Sequence, residues 1–292
     1  GSVSVKRLPP LMRSVRSRLT GRALTIRFRL VRRARIAVIG YRTAVVRINL
    51  RKSFPEKSAA ELKRIERDFY RWFCDLVVET LKTLTITPDQ IKGCVSVSGE
   101  EVLKAYFAQG RSVILVMGHW GNWELGGARF SQLGLHQLYV IYHPLQNKWF
   151  DGLVLRMRTR LGNKLYAMND TMKGMLRDRG EVTATAFIAD QTPPPDRAFW
   201  TTFLNQDTPV FFGTEKIAQK LGYPIVYVGI ERTRRGHYTM RFEELVAQPS
   251  GTSEGEITLA HTRRLEADIH RLPAYWLWTH RRWKHQRGSG RS

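Results

Sequence analysis

The sequence predicts a three-layer αβα domain with a mostly parallel central sheet. Short β-branched apolar runs recur along the chain, as at Val113–Met117 and Ile225–Ile230, and such runs form strands buried on both faces. Segments with helical spacing separate them, and that alternation is the signature of α/β layers. A glycine-rich turn, Gly118–Gly121, directly follows the first run, where open α/β sheets place their ligands.

The elements follow in order. Residues 58–84 predict a long helix, with Ser58 as its cap and an apolar stripe of Leu62, Ile65, Phe69, Phe73, Leu76, Val77 and Leu81. Strands are expected at Val113–Met117, Leu138–Ile141, Thr185–Ala189, Ile225–Ile230 and Tyr238–Phe242. Helices are expected near 122–133, 147–161, 171–179, 213–221 and 254–270. Gln191-Thr192-Pro193-Pro194-Pro195-Asp196 excludes regular structure and makes a stiff loop beside the same crevice. Cys74 and Cys94 lack metal-ligand companions and read as reduced thiols.

The string Gly118-His119-Trp120-Gly121-Asn122-Trp123-Glu124 carries the chemistry. A five-residue offset turns about 140° on a continuous helix, so His119 and Glu124 meet only if His119 lies in the loop and Glu124 in the first turns of the next helix. A carboxylate on an imidazole fixes its tautomer and makes it a positioned general base. A His and an acid in proximity more often form a structural pair. The surrounding glycines, and the two tryptophans in a loop, favour a site.

This string resembles the His-x4-Glu motif of the bacterial lipid A late acyltransferases, the lauroyl and myristoyl transferases. Further segments resemble that family in order: Tyr41–Leu50 with Ser53–Lys57, Phe69-Tyr70-Arg71, Glu79–Lys82, Tyr142–Leu145, Arg158-Thr159-Arg160-Leu161-Gly162, Ala189-Asp190-Gln191, Phe212-Gly213-Thr214 and Trp278–Trp283. The resemblance implies an O-acyltransferase with a glycerolipid-acyltransferase-like fold. It would move a fatty acyl group from an acyl carrier protein or coenzyme A thioester to a hydroxyl of a phosphorylated glucosamine lipid, at the cytoplasmic face of the bacterial inner membrane.

His119 would then take the hydroxyl proton and Glu124 would orient it. Asn122 is a candidate oxyanion donor. Arg158 and Arg160 are candidate phosphate contacts, though outside the resemblance they read as solvated helix arginines. Asp190 and Gln191 end a strand at the active edge, where Asp190 is expected to hold an arginine or the acceptor sugar, or to cap the loop. Trp149, Phe150, Phe211 and Phe212 are candidates for an acyl groove, and His143 reads as structural. No metal is expected, since His119 and Glu124 are too few ligands, and no dinucleotide or phosphate-loop fingerprint points to a nucleotide cofactor.

The formal net charge is +23 over 292 residues. The excess sits before Glu56 and after Asp268, leaving the middle nearly balanced, as in a domain that docks on an anionic surface. Zinc spacing, ribonucleoprotein aromatics and a helix-turn-helix are missing, which disfavours nucleic acid and favours an anionic bilayer. A basic nucleic-acid- or membrane-binding protein on an inactive scaffold is the alternative.

Residues 1–40 form a basic segment in which arginines interrupt every apolar run. No window there approaches the ~20 apolar residues of a spanning helix. The family's hydrophobic anchor is therefore expected to be missing or altered, the segment serving at most as a peripheral anchor. The acyltransferase domain is expected over 41–287, and 288–292 reads as an added tail.

Overall fold

The computed structural model describes residues 40–144 and 146–287. Apart from Gly40 and Tyr41 these belong to one compact unit beginning at Arg42. The expectations for the basic N-terminal segment and for the tail at 288–292 lie outside the described residues.

Two helices precede the sheet: α1 (Thr43–Ser53) and α2 (Ala59–Lys82). Ser58 caps α2 in a capping box with Glu61, and its stripe buries Ile65, Phe69, Trp72 and Leu76. Then come α3 (Pro88–Cys94), β1 (Val95–Ser98), α4 (Glu100–Ala108), β2 (Val113–Met117), α5 (Trp123–Phe130), β3 (Gln137–Tyr142), α6 (Lys148–Thr159), β4 (Lys164–Ala167), α7 (Thr171–Arg177) and β5 (Thr183–Ile188). The chain continues through β6 (Ala198–Phe203), β7 (Gln206–Phe211), α8 (Gly213–Leu221), β8 (Ile225–Arg234), β9 (His237–Val246) and α9 (Glu256–Arg271).

The main sheet has seven strands in the order β1-β9-β8-β2-β5-β3-β4. The five strands β8, β2, β5, β3 and β4 run parallel, as expected. The exception is β9, which pairs antiparallel with β8 across the Arg235-Gly236 turn, while β1 runs parallel to β9. Gly236 supplies the positive φ of 75° that this tight turn requires.

Alternate residues of β2 face opposite layers. Ile114 and Val116 join the core with α1, α2 and α9. Val113 and Leu115 join the core with α3, α4 and α5. This is the three-layer arrangement, with β2 at its centre and its first four residues fully buried. The hairpin β6–β7 stands apart from the main sheet and was not expected. Leu204 and Asn205 both take positive φ at its turn, without the Asn-Gly pair that usually announces such a hairpin. Both cysteines are free thiols, as expected.

Candidate active site

The five parallel strands bring their C-terminal ends, and the loops that follow them, to one edge of the sheet. Strands β2 and β5 are neighbours, with Met117 opposite Ile188. His119 lies two residues beyond Met117 and Asp190 two residues beyond Ile188. Equal offsets from a shared register bring the two side chains together.

Asp190 Oδ1 lies 2.6 Å from His119 Nδ1, and Asp190 Oδ2 accepts the His119 backbone N–H at 2.7 Å. The indole Nε1–H of Trp276 donates to the same Oδ2 at 2.7 Å. Burial by itself would raise the Asp190 pKa. The charge of His119, its two hydrogen bonds and the one from Trp276 outweigh that and hold the carboxyl at about 2. An ionised carboxylate only accepts, so His119 Nδ1 carries the proton and Nε2 is the basic nitrogen. Gln191 Nε2 approaches that nitrogen at 3.3 Å, and the edge of Trp123 packs on the ring at 4.8 Å between centroids.

The loop carrying His119 is fixed by the C-terminal segment. Tyr275 O accepts from Gly121 N at 2.9 Å, and His119 O accepts from Leu277 N at 3.1 Å. Gly121 has φ 71°, and a Cβ there would fall 1.6 Å from Ile230 O. A Cβ on Gly118 would meet Leu265 at 2.5 Å and Asp190 Oδ2 at 3.0 Å. Gly121 admits only glycine, because the loop there takes a positive φ and runs flush against the backbone of β8, while a side chain at Gly118 would have to displace the Leu265 side chain of α9 and crowd the carboxylate.

Glu124 stands in the first turn of α5, as expected, but the carboxylate on the His119 ring belongs to Asp190. Glu124 instead holds Arg158 of α6 in a bidentate pair, Nε to Oε2 at 3.1 Å and Nη2 to Oε1 at 2.6 Å. Burial opposes the Arg158 charge, and Glu124 more than offsets it, leaving the guanidinium pKa raised. The pair borders a narrow apolar slot between α5 and the sheet. Its walls are Leu115, Met117, Leu138, Val140, Ala186 and Ile188 from the strands, Met157 from α6, and Trp123 with Gly126 and Gly127 from α5. Trp123 is thus a wall shared by the slot and the His119 ring.

The remaining expected site residues divide. Gln191 reaches His119. Asp190 holds the ring and backbone N–H of His119. Asn122 is fully buried: its Oδ1 caps α5 by accepting Leu125 N, and its Nδ2 donates to Glu79 Oε2 at 2.8 Å. That amide is committed to the fold and is not aimed at a reacting carbonyl. Arg160 donates to the backbone oxygens of Thr83 and Ile86 just after α2, so it clamps a helix end. His143 is exposed, with Nδ1 3.0 Å from Pro144 O. Trp149 and Phe150 are exposed and Phe212 stacks on Phe199, so none of the three lines the slot.

Sequence reasoning missed Trp276, and also Glu79 with its hydroxyl partner Tyr238 at 2.6 Å. Burial pushes the Glu79 pKa up while Tyr238 and Asn122 pull it down. This buried trio ties α2 to the start of α5. Among the described residues, no group of three or more His, Cys, Asp or Glu side chains is placed to hold a metal ion.

A family profile described as bacterial lipid A biosynthesis acyltransferase matches residues 24–285. The chain belongs to that family. It is 26% identical over 247 residues to the lipid A biosynthesis palmitoleoyltransferase of Escherichia coli (strain K12), covering 83% of this chain and 79% of the relative. The lauroyltransferase of the same organism is 26% identical over 251 residues, with the same coverages. The myristoyltransferase is 22% identical over 156 residues, covering 53% of this chain and 48% of the relative.

This lipid A acyltransferase homologue is therefore an acyltransferase. The three relatives differ in the acyl group they are named for, so family membership leaves chain length open. Among the described residues, no helix is long and apolar enough to cross a membrane.

Proposed function

We propose that His119 Nε2 is the general base of an acyl transfer from a thioester to a lipid hydroxyl. The observation that carries this reading is the His119–Asp190 contact at 2.6 Å, which leaves the second ring nitrogen basic beside Gln191. The acceptor oxygen attacks the thioester carbonyl while its proton passes to Nε2. The tetrahedral intermediate then collapses, the C–S bond breaks, and the imidazolium returns the proton to the leaving thiolate. Asp190 stabilises the transient imidazolium and keeps its tautomer, as in other acid–histidine pairs. A thioester is already activated, so no covalent acyl-enzyme is needed.

Glu124 acts in this reading through Arg158. A guanidinium fixed by a bidentate carboxylate is a preorganised cation for charge that develops on the carbonyl oxygen or resides on a donor or acceptor phosphate. The slot beside it is narrow, with the apolar lining that a fatty chain requires. The donor would be an acyl carrier protein or acyl-coenzyme A, and the acceptor a phosphorylated glucosamine lipid at the cytoplasmic face of the inner membrane. The family and its named relatives support this acceptor class.

The test supplies folded protein with labelled acyl donors of both kinds and a panel of lipid acceptors. Transfer to the glucosamine lipid, lost in His119→Ala, is the expected result. Transfer that persists at near-normal rate in His119→Ala returns the histidine to a structural role.

A further inference from the structure

Beside Asp190 the Trp278–Trp283 segment places a fully buried arginine. Arg282 is 2% exposed. Its Nη1–H donates to Pro209 O of β7 at 2.7 Å, and its Nε is buried with no hydrogen-bond partner among the described residues. No carboxylate among those residues pairs with it directly. Burial lowers its pKa to about 10 and Asp190 opposes that, so the guanidinium stays charged at neutral pH. A buried charge is strongly unfavourable unless an opposite charge offsets it.

The geometry supplies one such charge. Arg282 and Asp190 line the same small cavity, together with Met117 of β2, Val210 of β7, and His261 and Leu265 of α9. Asp190 is the only carboxylate among its lining residues and Arg282 the only guanidinium. The His119 ring is not among them, so it meets Asp190 from outside the cavity. The chain itself fixes the pair's separation. Thr192, two residues after Asp190, donates its hydroxyl to Arg282 O at 2.7 Å, and Trp276, six residues before Arg282, donates to Asp190 Oδ2.

The other titratable groups around the pair are neutral, paired or in water. Burial lowers His261 and His280 each to about 4, and His280 Nε2 lies 3.2 Å from the Thr192 hydroxyl. Tyr227 donates its hydroxyl to Asp268, which Arg241, Arg264 and Arg271 surround. Glu124 is held by Arg158, and Lys284 is exposed.

We propose that Arg282 is a positioning residue for the base: its buried charge offsets part of the Asp190 charge, so that Asp190 fixes the His119 tautomer without holding the imidazole protonated. The inference rests on the general-base reading and deepens it. A carboxylate on an imidazole stabilises the imidazolium, and a base already protonated cannot take the acceptor's proton. A cation across the cavity from the ring reduces that attraction and leaves the hydrogen bond intact. Low-dielectric surroundings let the offset act without solvent screening.

The test reads the His119 titration midpoint by NMR of the full chain, labelled at its imidazole nitrogens. The signal is assigned by its loss in His119→Gln, and the acid limb of kcat/KM is followed in parallel. Arg282→Met should move the midpoint up by about one pH unit, because Asp190 then stabilises the imidazolium unopposed, and the limb should follow. If the methionine variant does not fold, Arg282→Gln, which can still donate to Pro209 O, carries the same expectation. Arg282→Lys keeps the charge and should leave the midpoint in place. Trp283→Phe removes the 2.7 Å bond to Thr208 Oγ1, a second tie from this segment to the hairpin. It should lower thermal stability without moving the midpoint.

The midpoint is read without turnover, which separates the two failures. A midpoint that moves in a parent background showing no acyl transfer upholds the Arg282 coupling and defeats the general-base reading. An unmoved midpoint in a folded neutral variant overturns the proposal. So does an Arg282→Lys shift as large as that of Arg282→Met, which would leave Arg282 as a tie to the hairpin.

Discussion

The His119–Asp190 pair and the Glu124–Arg158 pair share Trp123 as a wall but are built in opposite ways. Asp190 is the more enclosed carboxylate, its side chain 4% exposed, and it accepts three hydrogen bonds, two from His119 and one from Trp276. Glu124 is 13% exposed and receives both its bonds from one guanidinium, itself 20% exposed. The first arrangement organises a base, because a buried carboxylate with satisfied lone pairs stays ionised and fixes one tautomer. The second organises a cation at the rim of an apolar slot. Of two carboxylates near one histidine, the one seventy-one residues away in sequence, and not the one five residues away, holds the ring.

The comparison breaks most readily at the histidine. His119→Ala and Asp190→Asn should each lower kcat by roughly 10²–10⁴, measured with saturating donor and acceptor. The double variant should be little worse than the worse single one, because a base and its orienting group act as a unit. Additive losses would show that Asp190 acts elsewhere. Arg158→Lys should cost roughly 10–10², since lysine cannot reproduce the fork that Glu124 holds. Glu124→Gln should resemble it, and near-parental kcat in both would remove the cation from the mechanism.

Two of the buried groups with depressed pKa values, His261 and Asp190, illustrate the pH dependence of stability. Burial lowers the His261 pKa to about 4 from 6.5, so its neutral state stabilises the fold fully above about 6.5. That contribution, about 3 kcal/mol, is lost as pH falls toward 4, because the unfolded chain binds a proton the native state does not. Asp190 at about 2 contributes about 2 kcal/mol above its unfolded value of 3.8, lost as pH falls through 2. Denaturant titrations should show stability declining in these two windows. His261→Gln should reduce the decline in the upper window, which His280, also lowered by burial to about 4, shares, and Asp190→Asn should reduce the lower one.

The smallest expected effects on chemistry come from residues that only hold the fold. Arg160→Ala removes donors from the Thr83 and Ile86 carbonyls, and Asn122→Ala removes both the α5 cap and a partner of buried Glu79. Each should cost about 1–3 kcal/mol of stability while kcat of the folded fraction stays near the parental value. A kcat loss comparable to that of Arg158→Lys would move either residue back into the site.

The sequence made the parallel layers legible because β2, β5 and β8 are apolar runs buried between helices. It also placed His119 correctly, just past a strand end. Strand order is not written in local pattern, however, so the adjacency of β2 and β5 was not readable, nor therefore was the meeting of His119 with Asp190. The hairpin β6–β7 escaped notice because Leu204-Asn205 gives no glycine signal. β1 and β4 are four residues each, too short for periodicity to register. Asn122 and Arg160 have residue types suited to catalysis, yet their donors are taken by Glu79 and by backbone carbonyls. Only coordinates reveal that commitment.

The pH dependence of kcat/KM for the parent, Asp190→Asn and Glu124→Gln tests the central claim most directly. With Asp190 as the partner of His119, Asp190→Asn removes the carboxylate that stabilises the imidazolium. The limb that reports deprotonation of the base should then move to lower pH. Glu124→Gln should lower the plateau and leave the limb in place. A limb that moves in Glu124→Gln and stays fixed in Asp190→Asn would contradict the assignment and make Glu124 the carboxylate that sets the base.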